Sequence, residues 1–375
     1  MRHGLTGDQA ASLSMNPTKE SVLCNLCGSD DFLLKFVGKD RLLNIPGEFS
    51  VVECNVCGLV YVNPRPTKES LKKYYPQTKE SLIKYYPQTN SNSNVPGRPL
   101  TQAVLRLHKM LVEAVSYKIS IPELKNGTLL DIGCGTGSYL ASMKQLVWDA
   151  YGVELSSAAC EVARRNTGLA VFHGTVDEAS FPNEFFDVVT MHQVLEHTQN
   201  PAETLSEIHR ILKADGLVAM SVPDAESWES KIFGPAWVAW ELPRHLYHFS
   251  RATITAMLEK KGFSVIAVKH DAHPGGVLGS MRYVFADVKL NPRIGFALAY
   301  PLSFLLAAIL SKLNTSGSMA IYAGVGGITN SNSSRTVVTE LGDSTNQIGR
   351  QASRAHNSIK VCTEKASSLK GKRVN

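Results

Sequence analysis

The chain reads as a doubly wound α/β protein with a small metal-binding ribbon ahead of it, and three observations carry that reading. Apolar runs of strand length near 127–133, 149–154, 169–173, 185–191, 216–222 and 263–269 alternate with stretches of helical periodicity. Such alternation is the pattern of parallel strands joined by crossover helices. The first run, Leu-Leu-Asp-Ile-Gly-Cys-Gly-Thr-Gly at 129–137, passes straight into three closely spaced glycines. A turn of that composition lets a ligand approach the main chain. Earlier in the chain, Cys24-Asn-Leu-Cys27-Gly and Cys54-Asn-Val-Cys57-Gly form two C-x-x-C-G knuckles separated by 26 residues.

In chain order, residues 1–20 are polar and are expected to be flexible; with no apolar leader core, a cytoplasmic location is expected. Residues 21–66 hold the knuckles. Four thiolates aimed at one centre suit tetrahedral Zn²⁺, and with Cys24, Cys27, Cys54 and Cys57 filling every position the metal is expected to be structural. A disulfide pair fits a reducing compartment poorly, and a redox C-x-x-C would not come twice. Cys134 and Cys160 read as small buried residues, and Cys362 as inert in the tail.

Residues 67–100 are a linker containing a tandem duplication. Thr67–Gln77 recurs as Thr78–Gln88, differing only at Lys72 and Ile83. Either the paired tyrosines line a substrate cleft, or one copy packs and the other is spare. The Asn-, Ser- and Pro-containing stretch 90–100 marks a boundary.

The main domain is predicted over 101–325, starting with a leading helix at 101–119. Glu154 ends the second strand, 23 residues after Asp131, a distance at which an acid suits the two hydroxyls of a ribose. A nucleoside-containing cofactor is therefore expected. The dinucleotide fingerprint G-x-G-x-x-G would need glycine at 138, where Ser138 stands. After the fourth strand, Leu195-Glu196-His197 precedes Asn200-Pro201-Ala202-Glu203, a helix start with Asn as N-cap and Pro at the first position. Gly216 is the expected terminator of that helix.

Over roughly 100–325 these motifs resemble the class I S-adenosylmethionine (SAM) methyltransferases. The Asp131-to-Gly137 run is similar to their motif I, and Glu154 to the acid ending their second strand. The resemblance implies a seven-stranded, Rossmann-like methyltransferase sheet. It also implies SAM contacts from Asp131, Gly133, Gly135, Gly137 and Glu154, with the methionine carboxylate at the N-terminus of the helix after Gly137. Asp177 falls where such enzymes hold adenine and is an expected partner of its amino group, with the backbone of 175–176 as the alternative. The ribbon ending Cys-Gly-Leu-Val-Tyr-Val-Asn-Pro-Arg-Pro at 57–66, together with Pro-Arg-His-Leu-Tyr-His-Phe-Ser at 243–250, resembles bacterial zinc-ribbon methyltransferases of sugar and cell-envelope glycan modification. Nucleotide-sugar C-methyltransferases share a similar four-cysteine front end together with a further C-terminal domain, which is not evident here.

The segment after strand four narrows the acceptor. Met191-His-Gln-Val replaces the Asn/Asp-Pro-Pro-Tyr/Phe turn of base-amino methylation, and no Pro-Cys marks a cytosine-C5 nucleophile. A small-molecule, sugar or glycan-lipid acceptor is expected, methylated at oxygen or carbon with a histidine base. His245 is the first candidate and His248 the second, with Arg244 holding an anionic part of the acceptor; His192 and His197 complete the set. A packed lid is the competing reading of 242–250. Glu196-His197 resembles the pair in ubiquinone-pathway O-methyltransferases, where it orients the substrate or a divalent ion; a helix-capping pair is the alternative reading here. The net charge of +6 is scattered and the ribbon has no excess of basic residues, so nucleic acid is not an expected partner. RNA methylation and SAM binding without catalysis are the alternative functions.

Composition, 43% hydrophobic and 19% charged, describes a globular protein with an ample core. Ile294–Ser311 is an uncharged run of 18 residues between Arg293 and Lys312. Because Ser318–Val325 reads as a seventh strand that must return beside the sixth, an apolar helical insertion over about 280–313 is expected rather than a membrane crossing. It would contact the inner face of the membrane peripherally, cover the active site or join two copies. Residues 326–375 read as a disordered tail with a basic end. The oligomeric state is not predicted.

Overall fold

A computed structural model describes residues 18–75, 127–146, 148–270, 274–313 and 315–325. The expected flexible N-terminus up to residue 17, the second copy of the duplication, the rest of the linker, the leading helix at 101–119 and the tail lie outside the described residues.

The ribbon comprises β1 (Lys19–Glu20), β2 (Phe32–Gly38), β3 (Phe49–Cys54), β4 (Val60–Val62) and β5 (Arg65–Pro66), with the short α1 (Lys68–Leu71) after it. The domain continues as β6 (Thr128–Ile132), α2 (Ser138–Gln145), β7 (Asp149–Glu154), α3 (Ser157–Thr167), β8 (Val171–His173), β9 (Phe186–His192), α4 (Pro201–Ile211) and β10 (Leu212–Pro223). Next come α5 (Trp228–Phe233), β11 (Tyr247–His248), α6 (Arg251–Lys260), β12 (Phe263–His270), α7 (Pro274–Asp287), α8 (Pro292–Lys312) and β13 (Ser318–Val325).

Seven strands form the main sheet in the order β12-β13-β10-β9-β6-β7-β8. β13 runs antiparallel to both of its neighbours, while β10, β9, β6, β7 and β8 pair in parallel. Central strands of such a sheet are covered on both faces and need continuous apolar runs. β9 is one: Phe186, Val188, Val189, Thr190 and Met191 are all buried. The carboxyl ends of β6, β7, β9, β10 and β12 share one edge, the edge on which open α/β sheets bind ligands.

Two predicted details change. The α4 helix starts as expected, with the Asn200 side chain accepting from Glu203 N and Pro201 in the first turn. It stops at Ile211, however, and the chain enters β10 at once. The β10–β9 register shifts between Leu212 and Leu217, and a side chain at Gly216 would sit 2.9 Å from Lys213 O. Gly216 therefore makes room for a bulge and terminates no helix. The insertion is a helical hairpin between β12 and β13, as expected, but it begins at Pro274 rather than near 280.

The ribbon is less separate than its sequence implies. β11, drawn from the 242–250 segment, pairs with β4, giving a second sheet in the order β11-β4-β3-β2. Val62 N donates to Leu246 O, and Leu246 N donates to Glu196 O. One hydrophobic core runs from Phe49 and Tyr61 through Trp237, Leu246 and Phe249 to Met220 and Ile321.

Candidate active site

The residues expected to contact the cofactor lie where β6 ends. Gly133 (φ +73°) and Gly137 (φ +81°) hold left-handed backbone, and each is packed too tightly for a side chain. A Cβ at Gly133 would fall 2.3 Å from Val194 Cγ2, and one at Gly137 would fall 2.9 Å from Thr167 Cγ2 and 3.1 Å from Ala163 Cα. Gly137 is the N-cap of α2, so this helix opens directly off the loop. Gly135, also at positive φ, donates its N–H to Glu154 Oε2 at 2.9 Å, and Ser156 N donates to Oε1 at 2.8 Å.

Asp131 is 2% exposed and accepts from the Thr190 hydroxyl at 2.8 Å. Burial pushes its carboxyl up to about 7; the Thr190 bond opposes this and the Glu154 charge adds to it. Burial likewise raises Glu154, against three backbone N–H groups. Asp131, Gly133, Gly135, Gly137 and Glu154 thus gather at one corner of the sheet's carboxyl edge. Asp177 is exposed on the turn after β8. Two apolar side chains that the motifs did not single out are exposed close to Glu154: Leu155, just after β7, and Phe172 in the neighbouring β8.

The histidine candidates and Glu196 form a buried polar cluster. Val194, which covers Gly133, is two residues before Glu196, so the cluster adjoins the glycine loop. Glu196 is wholly buried, neither carboxylate oxygen is hydrogen-bonded, and burial pushes its pKa up to about 8. His245 Nδ1 lies 2.7 Å from Ala239 O. A carbonyl only accepts, so Nδ1 carries the proton and Nε2 of the neutral ring keeps its lone pair. That Nε2 lies 4.0 Å from Glu196 Oε1 and 3.7 Å from Glu241 Oε2. His197 Nδ1 is 3.1 Å from Arg244 O and 3.2 Å from the Tyr75 hydroxyl, and burial lowers its pKa to about 3. Ligand-capable atoms of Glu196, His197 and His245 all lie within 4.8 Å of one another. Tyr75 brings the first copy of the duplication to this cluster, while its neighbour Tyr74 is buried edge-on to Phe49.

The structure moves two expected roles. His248 lies in β11, buried against Trp240 at 4.8 Å between ring centroids, with neither ring nitrogen hydrogen-bonded. It belongs to the ribbon sheet and to no open loop. Arg244 is fully buried and each of its three nitrogens donates: Nε to Glu241 at 2.9 Å, Nη1 to Tyr74 O at 2.9 Å, and Nη2 to Asp40 Oδ1 at 2.9 Å. A guanidinium so engaged clamps the ribbon to the domain, and its expected anion-holding role is set aside. His192 packs its ring against Tyr139 of α2, 4.7 Å between centroids, and burial lowers its pKa to about 4. One pair was not foreseen at all. Asp224 and His270, at the carboxyl ends of β10 and β12, meet at 2.8 Å. Only their position at the end of an apolar run hinted at it.

The four cysteines converge. Cys24 Sγ lies 3.4 Å from Cys57 Sγ, and Cys27 Sγ 3.5 Å from Cys54 Sγ, with no disulfide among them. Sulfurs tetrahedrally placed about 2.3 Å from a zinc ion are separated by nearly such distances, so the donor set fits Zn²⁺ in number, chemistry and spacing. A cleft of about 360 Å³ lies at the end of β10, lined by Ala225, Glu226, Ser230, Trp240 and the ribbon's Phe36.

The methyltransferase domain family matches residues 107–268, and the fold built around this site is that of a SAM-dependent methyltransferase. The ubiquinone biosynthesis O-methyltransferase of Pseudomonas paraeruginosa is 29% identical over 34% of this chain and 59% of its own length. The enzyme of that name from Roseobacter denitrificans is 28% identical over 46% of this chain and 77% of its own. The chain thus spans less than two thirds of the length of the Pseudomonas relative. A solved SAM-dependent methyltransferase structure from Mesorhizobium loti overlaps 54% of this chain and 93% of its own, at 16% identity and a TM-score of 0.38.

Proposed function

We propose that this protein transfers the methyl group of SAM to a hydroxyl of a small-molecule, sugar or glycan-lipid acceptor, with His245 as general base. The observation that carries the reading is Glu196. A wholly buried carboxyl with both oxygens unpartnered, beside an imidazole with a free lone pair and next to the cofactor loop, is the condition expected of a site awaiting a polar ligand.

SAM supplies an electrophilic sulfonium methyl group. The glycine loop and Glu154 would hold the donor, with Glu154 accepting from its ribose hydroxyls. His245 Nε2 takes the acceptor's hydroxyl proton as the oxygen's electron pair forms the new O–CH₃ bond and the C–S pair returns to sulfur. His197, oriented by Arg244 O and Tyr75, and a neutral Glu196 position the acceptor. The Glu-His pair shared in kind with ubiquinone-pathway enzymes supports a hydroxyl as the reacting group. We read the four thiolates as a structural zinc site that holds β3 and β4, and through them β11.

The test is transfer of labelled methyl from SAM to quinols, nucleotide-sugars and glycan-lipids. His245→Asn is expected to lower kcat by about 10²–10⁴ while leaving S-adenosylhomocysteine affinity unchanged. An unaltered kcat would remove His245 from the mechanism.

A further inference from the structure

The α8 helix is packed the wrong way round for water. Through most of its length its buried positions are small, Gly295, Ala299, Ser303 and Ala307, spaced every four residues, with Leu310 buried near its end. Most of its large aliphatic side chains face outward. Ile294, Leu298, Leu302, Leu305 and Ile309 are 45–59% exposed, and at 3.6 residues per turn they occupy one arc of about 80°. No charged residue interrupts 294–311, and only 28% of Pro292–Leu310 is buried. A water-facing helix puts its large apolar residues inward and its charges outward. Close helix contact through small residues, with large apolar residues left outside, is the arrangement of helices in lipid.

What covers the face is set by charge and by tethering. Lys289 and Arg293 stand at one end. At the other, Trp228 N donates to Thr315 O, bringing α5 to the end of the helix, with Lys231 over the Trp228 ring at 5.9 Å. The one acid near the hairpin tip, Asp287, is answered by Arg41 at 2.9 Å. The end at Lys289 and Arg293 is thus basic, while at the other Lys231 stands on the same segment as exposed Glu226 and buried Glu229. Two copies paired in parallel along this face would set Lys289 and Arg293 against their own counterparts, whereas anionic headgroups complement them. β13 is hydrogen-bonded to β10 and β12, so α8 cannot cross a bilayer without stripping a strand from the sheet.

We propose that α8, with Trp228, is a monotopic docking surface that lies in the headgroup region of an anionic phospholipid membrane, parallel to its plane. Docking of this kind depends neither on the identity of the methyl acceptor nor on which residue is the base.

The full-length protein is mixed with vesicles of phosphatidylcholine and phosphatidylglycerol at 3:1, and with vesicles of phosphatidylcholine alone, and floated. Trp228 is the one exposed tryptophan of four, the others being buried, so its emission reports the surface directly. Expected are flotation with the anionic vesicles, a blue shift and quenching by brominated lipid. Leu298→Glu with Leu305→Glu is expected to weaken partitioning about a hundredfold. Should that variant fail to fold, Trp228 quenching in the unaltered protein still decides. No flotation, a variant that floats equally well, or a dimer dispersed by the variant without vesicle binding would each overturn the proposal.

Discussion

Glu196 shows what the site demands of a single side chain. Its carboxyl, ordinarily near 4.5, titrates at about 8 because burial disfavours the charge. Between those values the folded protein holds a proton that the unfolded chain has released, so stability falls as pH rises through that window. Glu196→Gln removes the titration and keeps the shape. Its melting temperature is expected to exceed the unaltered protein's by more at pH 8 than at pH 5; an equal difference at both would contradict the burial. Gly133 is limited by space and backbone together. Gly133→Ala should weaken S-adenosylhomocysteine binding and lower stability by about 1–3 kcal/mol, with part of the loss restored by Val194→Ala, as titration and denaturant melts would show. Arg244→Met removes a buried partner of Asp40. Asp40 keeps bonds from the N–H groups of Leu42, Leu43 and Ile45, so the cost belongs at the low end of the usual range, about 3 kcal/mol by urea unfolding.

Among the strands and helices, what was legible in the sequence rests on local chemistry. The β6 strand and its glycine turn, the Asn200 cap and β13 from Ser318 to Val325 stand where periodicity and turn residues put them. The short β11 was not legible, because two residues become a strand only when β4 offers an edge across about 185 positions of chain. Arg244 misled for a related reason. Dense polar residues between tryptophans look like an open loop, and only the fold reveals that Asp40 and Glu241 consume the charge. Asp224 and His270 meet across β13, a neighbour relation no spacing rule contains. The first copy of the duplication is now accounted for up to Tyr75, by Tyr74 in the core and Tyr75 at His197.

As a whole, the molecule joins ribbon and catalytic domain through one core and a shared sheet. Asn25 accepts from Ala202 N and donates to Asn200 Oδ1, and Lys260 donates to Leu26 O at 2.7 Å. Removing the zinc proposed for the four thiolates should therefore lower the whole unfolding transition. Calorimetry with and without a chelator is expected to show one transition displaced downward; a separate ribbon transition that leaves the domain unmoved would contradict the coupling. The central claim is that the corner formed by Asp131, the three glycines and Glu154 binds SAM. Calorimetric titration of the zinc-loaded protein with S-adenosylhomocysteine, with NAD as control, tests it most directly. The expected result is micromolar binding that is lost in Glu154→Ala, with no response to NAD. Binding of NAD instead, or an affinity for S-adenosylhomocysteine untouched by Glu154→Ala, would contradict it.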